Sequence, residues 1–169
     1  MLDAAVAQAS SGDPAGYAEL LALAIAWPHS ATVRVRAADA AREPNDALRL
    51  YADAVRLHDL SCALAPDDLR AGLHGLGAAL LSAGDLPGAR AAFARAAAEF
   101  PSAAPTRYAY AATLCRLREL DLCVPELLAA LDADGTAGPL HELATRDPDF
   151  ESVRWDPRVS PRLATPRSP

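Results

Sequence analysis

Four histidines, three cysteines and a short run of carboxylates are the side chains whose types could do chemistry in this sequence, and their spacing limits what that chemistry can be. His29, His58, His74 and His141 each stand alone, with no H-E-x-x-H or other paired spacing that would hold zinc. His141 and Glu142 read as a surface pair at the start of a helix. Cys62, Cys115 and Cys123 are odd in number and lack C-x-x-C spacing, so they are expected to be reduced and to serve as small core hydrophobes within helices. Asp147, Asp149, Glu151 and Asp156 form a local acidic cluster that could bind calcium or supply an acid and base pair, although turn capping accounts for them better. A Ser-His-Asp site would need a serine on a strained turn, and no G-x-S-x-G occurs. All basic residues are arginine, which rules out a Walker loop, a Schiff base or a lysine-activated nucleophile built from this chain. The expectation is a protein without a catalytic constellation, a cofactor or a metal.

The elements that would position these groups follow from composition. Roughly a quarter of the 169 residues are alanine and only 5% are aromatic, so the core is built from small side chains. Alanine has the best intrinsic helix propensity, and an all-α domain is the default. A GC-rich coding sequence explains both the alanine and the missing lysine. The length suits a single domain over residues 1–163, with 164–169 a frayed tail. A net charge of −6 makes nucleic acid an unsuitable partner. The acidic start and the lack of a long apolar run give no sign of a signal peptide or a membrane span, and a cytoplasmic protein is expected.

One stretch, from Arg70 to Pro101, reads as a complete helical hairpin. Leu73, Leu76, Gly77 and Leu80 form an apolar stripe. Ala83-Gly84-Asp85 breaks the helix, and Pro87 is tolerated in the first turn of the next, which carries Ala89, Phe93, Ala96 and Phe100. Other helices are expected over residues 2–9, 15–27, 47–65 and 102–118, with one from Ser30 to about Arg42 despite the strand-like alternation of Thr32 to Arg36. Glu43-Pro44-Asn45-Asp46 is read as a turn. Pro125 requires the following helix to start near Leu122 or Cys123, so that the proline falls in its first turn. Gly138-Pro139 opens a last helix, ending near Thr145.

Leu73, Leu76, Gly77, Leu80, Ala89, Phe93 and Pro101 together resemble the tetratricopeptide repeat at that family's offsets. The segment from Arg146 to Arg158 resembles the closing element of certain bacterial repeat proteins, in which D-P-D-F followed by D-P-R caps the final helix pair; there Phe150, Val153 and Trp155 would cover the open end. The resemblance implies a short right-handed solenoid of about four hairpins whose leading helices line a concave groove. On that basis the candidate contacts are His74, Ala78, Leu81 and Ser82, then Tyr108, Ala112, Cys115 and Arg116, with Arg36 and Asp39 as counterparts in a degenerate unit. An aromatic residue, two arginines and small residues suit a peptide segment with an acidic or polar group, and the same positions could equally be solvated helix faces. The family's lysine and asparagine grip on C-terminal carboxylates has no equivalent, since Asn45 is the only asparagine and lies in a turn. The implied function is a noncatalytic scaffold for a protein or peptide partner; the alternative is self-association through exposed apolar helix faces.

Overall fold

The computed structural model describes residues 1–135 and 138–163, so the frayed tail expected at 164–169 lies outside the described residues. Among these residues the chain is all-helical, with ten α-helices, one 3-10 turn and no strand. Four hairpins account for only eight of the ten helices, so that expectation undercounts them. The chain divides into two compact units between Asp85 and Leu86. The stretch that best carries the repeat pattern is therefore shared, its first helix belonging to one unit and its second to the other.

The first unit contains α1 (Leu2–Ser10), α2 (Pro14–Ala26), α3 (Ala31–Asp39), α4 (Pro44–Ser61) and α5 (Pro66–Ser82). Capping explains the starts. The Asp13 carboxylate accepts the Ala15 N–H at 2.9 Å, and the Ser30 hydroxyl accepts that of Val33 at 3.4 Å. The alternating segment is thus helical, because Val33, Val35 and Ala37 are all buried on α3 through contacts with more than one neighbouring helix. α3 packs against α1, α2, α4 and α5, and Leu20, Leu23, Val33, Ala37 and Leu50 share one core.

Two boundaries in this unit differ from the sequence reading. Pro44 to Asp46 is the first turn of α4 rather than a loop, since proline at the first helical position gives up an N–H that has no helical partner there. α4 also ends earlier, at Ser61, because Cys62 takes a left-handed conformation (φ 50°) with its N–H on the His58 carbonyl. Cys62 is consequently an exposed thiol outside the helix and not a core residue.

The second unit contains α6 (Leu86–Glu99), α7 (Ala104–Arg116), α8 (Leu120–Asp134), α9 (Pro139–Arg146), the 3-10 turn η1 (Pro148–Phe150) and α10 (Ser160–Leu163). α7 is central, packing on α6, α8 and η1. Leu114, Leu127, Leu131, Phe150 and Val159 are fully buried in its core. α8 begins at Leu120, two or three residues earlier than expected, because the Glu119 carbonyl accepts the N–H groups of Leu122 and Cys123. Pro125 is thus inside the helix, one turn from its start. The acidic closing segment does act as turn caps: Asp147 accepts the Asp149 N–H at 3.0 Å, and Asp156 accepts the Arg158 N–H at 2.8 Å. Phe150 and Val153 cover the core as expected, whereas Trp155 is 82% exposed and covers nothing.

Candidate functional site

Six of the residues singled out from the sequence fall in the first unit, Arg36 and Asp39 on α3 and His74, Ala78, Leu81 and Ser82 on α5, and four, Tyr108, Ala112, Cys115 and Arg116, fall in the second on α7. In the first, α3 presents Arg36 and Asp39 one turn apart on the same face. Arg36 Nη2 lies 2.5 Å from Asp68 Oδ1 of α5 and Nη1 lies 3.6 Å from Asp39 Oδ2. The Thr32 hydroxyl donates to the second Asp68 oxygen at 3.1 Å, and the Tyr51 hydroxyl of α4 donates to Asp39 at 2.6 Å. Burial, reinforced by the bond to Asp39, pushes the Tyr51 phenol well above its ordinary value, so it stays protonated and remains a donor. The result is a network of one cation and two carboxylates, in which the arginine is already neutralised.

Arg36 and Asp39 of that network form one wall of a cleft of about 170 Å³ whose apolar side is Val6 and the buried Leu20. The opening exists because α1 and α3 approach through small side chains, Ala9 and Ala40 among the lining residues. On α5, Ala78 is exposed and His74 is partly buried; burial and then the nearby Arg70 charge hold the His74 imidazole below its ordinary pKa. The ring of Tyr51 reaches its position only because Gly75 has no side chain, since a Cβ there would fall inside contact distance of the ring. Sequence reasoning missed Tyr51 and Asp68. Neither carries a motif, and only the packing of three helices brings them beside Arg36.

In the second unit the expected groove residues on α7 are largely covered by the chain itself. Tyr108 and Ala112 are buried. The Tyr108 hydroxyl donates to Asp147 Oδ2 at 2.8 Å, and its ring meets that of Phe150 edge to face at 5.1 Å between centroids. Burial first, then the Asp147 bond, raises this phenol far above its usual range. Arg116 alone of the four on α7 is exposed, with its Nε 3.9 Å from Asp149. It borders a cleft of about 440 Å³ with Arg118, Asp149, Glu151, Ser152 and Cys115. The Asp149 carboxyl is raised by burial and by Asp147, against the opposite pull of Arg116.

Cys115 is not a free thiol. It is joined to Cys123 in a disulfide with Cα atoms 5.3 Å apart, and both residues are buried. The absence of C-x-x-C spacing gave no hint of this, because the pairing is made by the hairpin: the last full turn of α7 lies opposite the first turn of α8. The signal in the sequence was the separation of eight residues across a helix-to-helix turn. A third cleft, of about 330 Å³, lies beside the exposed Trp155 and is floored by Leu120, Val124 and Val153.

Among the described residues no group of three histidine, cysteine, aspartate or glutamate side chains is placed to hold a metal ion. No helix among them is long and apolar enough to cross a membrane. No protein-family model matches the chain, and no curated protein matches it at a significant level.

Proposed function

We propose that this chain is a noncatalytic scaffold of the tetratricopeptide type that binds a peptide segment or partner protein along the leading helices of its first unit. The observation that carries the reading is the α1–α3 cleft, where an apolar side of Val6 and Leu20 meets a rim of Arg36 and Asp39. The packing of α3 on both α1 and α5, leading helix against leading helix, supports a tetratricopeptide-like stacking of hairpins within that unit. Because Arg36 is neutralised by Asp68 and Asp39, the cleft favours a partner that inserts a small apolar side chain beside a neutral or basic group. Arg36 and Asp39 are the contacts assigned to it, while His74 and Ala78 lie on α5 outside its lining and would be met only by a partner that runs on along the leading helices. Of the second-unit candidates Tyr108, Ala112, Cys115 and Arg116, the last alone is exposed.

Selection from a random peptide library against the full chain, followed by calorimetry on the enriched peptides, tests this. Peptides that bind the wild type and lose at least about tenfold in affinity, 1.4 kcal/mol, on Asp39→Ala support the cleft. Enriched peptides that bind Asp39→Ala and wild type alike, or a selection that enriches none, refute it.

A second reading, self-association, is favoured by one specific observation: Trp155 is 82% exposed beside a cleft of mixed lining, Leu120, Val124 and Val153 with Asp121, Asp156 and Arg158, and Leu122 is 47% exposed. Light scattering decides it. A dimer that dissociates on Trp155→Ala supports this reading, and a concentration-independent monomer removes it.

A further inference from the structure

Three helix-to-helix turns in this chain share one backbone solution. At Ser11-Gly12-Asp13, Ala83-Gly84-Asp85 and Leu117-Arg118-Glu119 the middle residue is left-handed, with φ of 83°, 81° and 64°. Its N–H donates three residues back, to the carbonyls of Ala9, Leu81 and Cys115. The next N–H donates five residues back, to Gln8, Leu80 and Leu114, and all six bonds measure 2.9 to 3.3 Å. Glycine adopts this conformation freely, but the Cβ of an arginine disfavours it. The turn that uses arginine is also the one that a disulfide spans, from Cys115, whose carbonyl accepts the Arg118 N–H, to Cys123 in the first turn of α8.

We propose that the Cys115–Cys123 pair is a thiol–disulfide exchange site for a dithiol reductant, and that its redox state sets how firmly the Arg118 turn is closed. Both residues are buried, Cys123 with no exposure and Cys115 with 3%, but Cys115 borders the 440 Å³ cleft with Arg116 and Arg118, so local opening of that wall brings a reductant to the Cys115 sulfur first. The reductant's thiolate forms a bond to Cys115 Sγ as the Cys115–Cys123 bond breaks, and the electron pair leaves on Cys123 Sγ. That thiolate forms in the first turn of α8, where the helix field stabilises negative charge, and it then takes up a proton. The reductant's second thiol displaces Cys115, which also ends as a thiol. The reductant is oxidised to its disulfide and gives up two electrons and two protons in all.

Once open, the turn keeps its arginine but loses the bond that held it, so the walls of the cleft loosen around Arg116 and Arg118. In a reducing cytosol a disulfide is generally transient and regulatory, so the compartment expected from the sequence and this bond are compatible if the pair is exchangeable. The exchange requires no peptide ligand.

The full chain, purified without reductant, unfolded and alkylated with iodoacetamide, is expected to carry one adduct, on Cys62, and three after dithiothreitol. Dithiothreitol is expected to open the bond in the native chain without denaturant. Amide exchange at Arg118 and Glu119 then accelerates by at least about tenfold while Gly84 and Asp85 are unchanged. Cys123→Ser should exchange fast without reductant, and Arg118→Gly should show less than about a twofold redox effect, because glycine needs no clasp. Should Cys123→Ser fail to fold, native reduction of the wild type carries the test. Three adducts without reductant, a bond that opens only in denaturant, unchanged exchange on reduction, or an Arg118→Gly variant as redox-sensitive as the wild type would each overturn the proposal.

Discussion

Replacing Phe150 by alanine tests how the closing segment is held on α7. The ring has no solvent exposure and meets Tyr108 edge to face at 5.1 Å, with the planes 78° apart. Removing a fully buried phenylalanine costs about 3–5 kcal/mol, of which about 0.5–1.5 kcal/mol belongs to the aromatic pair beyond its buried area. The upper part of that range applies here if the site cannot collapse. Collapse is resisted at the start of the segment, where the Asp147 carboxylate both accepts the Tyr108 hydroxyl and caps η1. Hydrogen exchange on the α7 and α8 amides reads the loss directly, and 3 kcal/mol corresponds to roughly a hundredfold faster exchange where opening limits it. A double-mutant cycle with Tyr108→Leu and Phe150→Leu should return a coupling near 1 kcal/mol. A Phe150→Ala variant that loses less than about 1 kcal/mol, or a cycle with no coupling, would mean that the segment does not pack on α7 as described.

Two further perturbations probe separate parts of the structure. Gly75→Ala places a Cβ on the Tyr51 ring, which must swing aside, while alanine gains about 1 kcal/mol over glycine in a helix; Gly75→Ala should therefore be more favourable in a Tyr51→Ala background than in the wild type by about 1 kcal/mol or more in urea titrations, and equal effects in the two backgrounds refute the close packing of α4 on α5. Asp149 has a native pKa raised above 3.8, so the folded chain holds a proton that the unfolded chain has released. Stability linked to this group therefore falls as pH rises from the ordinary carboxylate value through the raised one, and Asp149→Asn should raise the melting temperature at pH 7, by less than about 1 kcal/mol in free energy, while leaving it unchanged near pH 3. An equal shift at both pH values contradicts the assignment.

Helix starts were legible where a side chain does the work locally. Asp13 and Ser30 cap through bonds reaching two and three residues ahead, and Asp147 and Asp156 make turns of the same short range, so residue type alone announces them. What depends on long-range packing was not. The Arg36–Asp68 pair joins residues 32 apart, and the disulfide is made only when α7 and α8 lie side by side. Trp155 shows the limit of reading polarity as burial: it follows Val153 by two positions, and the turn that buries Val153 leaves the tryptophan in solvent. Pro125 was expected in the first turn of α8 and lies inside the helix instead, because the sequence could not show that Glu119 extends the helix backwards by accepting two N–H groups.

The same contrast bears on where recognition is to be sought. Tyr108 is the most chemically distinctive residue on α7, and on sequence grounds it is the natural hot spot, since an aromatic ring with a polar tip is well suited to gripping a partner. Its hydroxyl and its ring are both engaged by the segment from Asp147 to Phe150, so an incoming peptide would have to displace an intramolecular contact worth several kcal/mol before gaining anything. No such contact fills the α1–α3 cleft: the half-buried Val6 borders it above the buried Leu20, and Arg36 is engaged by Asp39 and Asp68. An α7 site would therefore bind only when the closing segment is released, and Phe150→Ala would strengthen it. A site at α1–α3 would be indifferent to that substitution, which makes the affinity of a selected peptide for Phe150→Ala the measurement that tells the two faces apart.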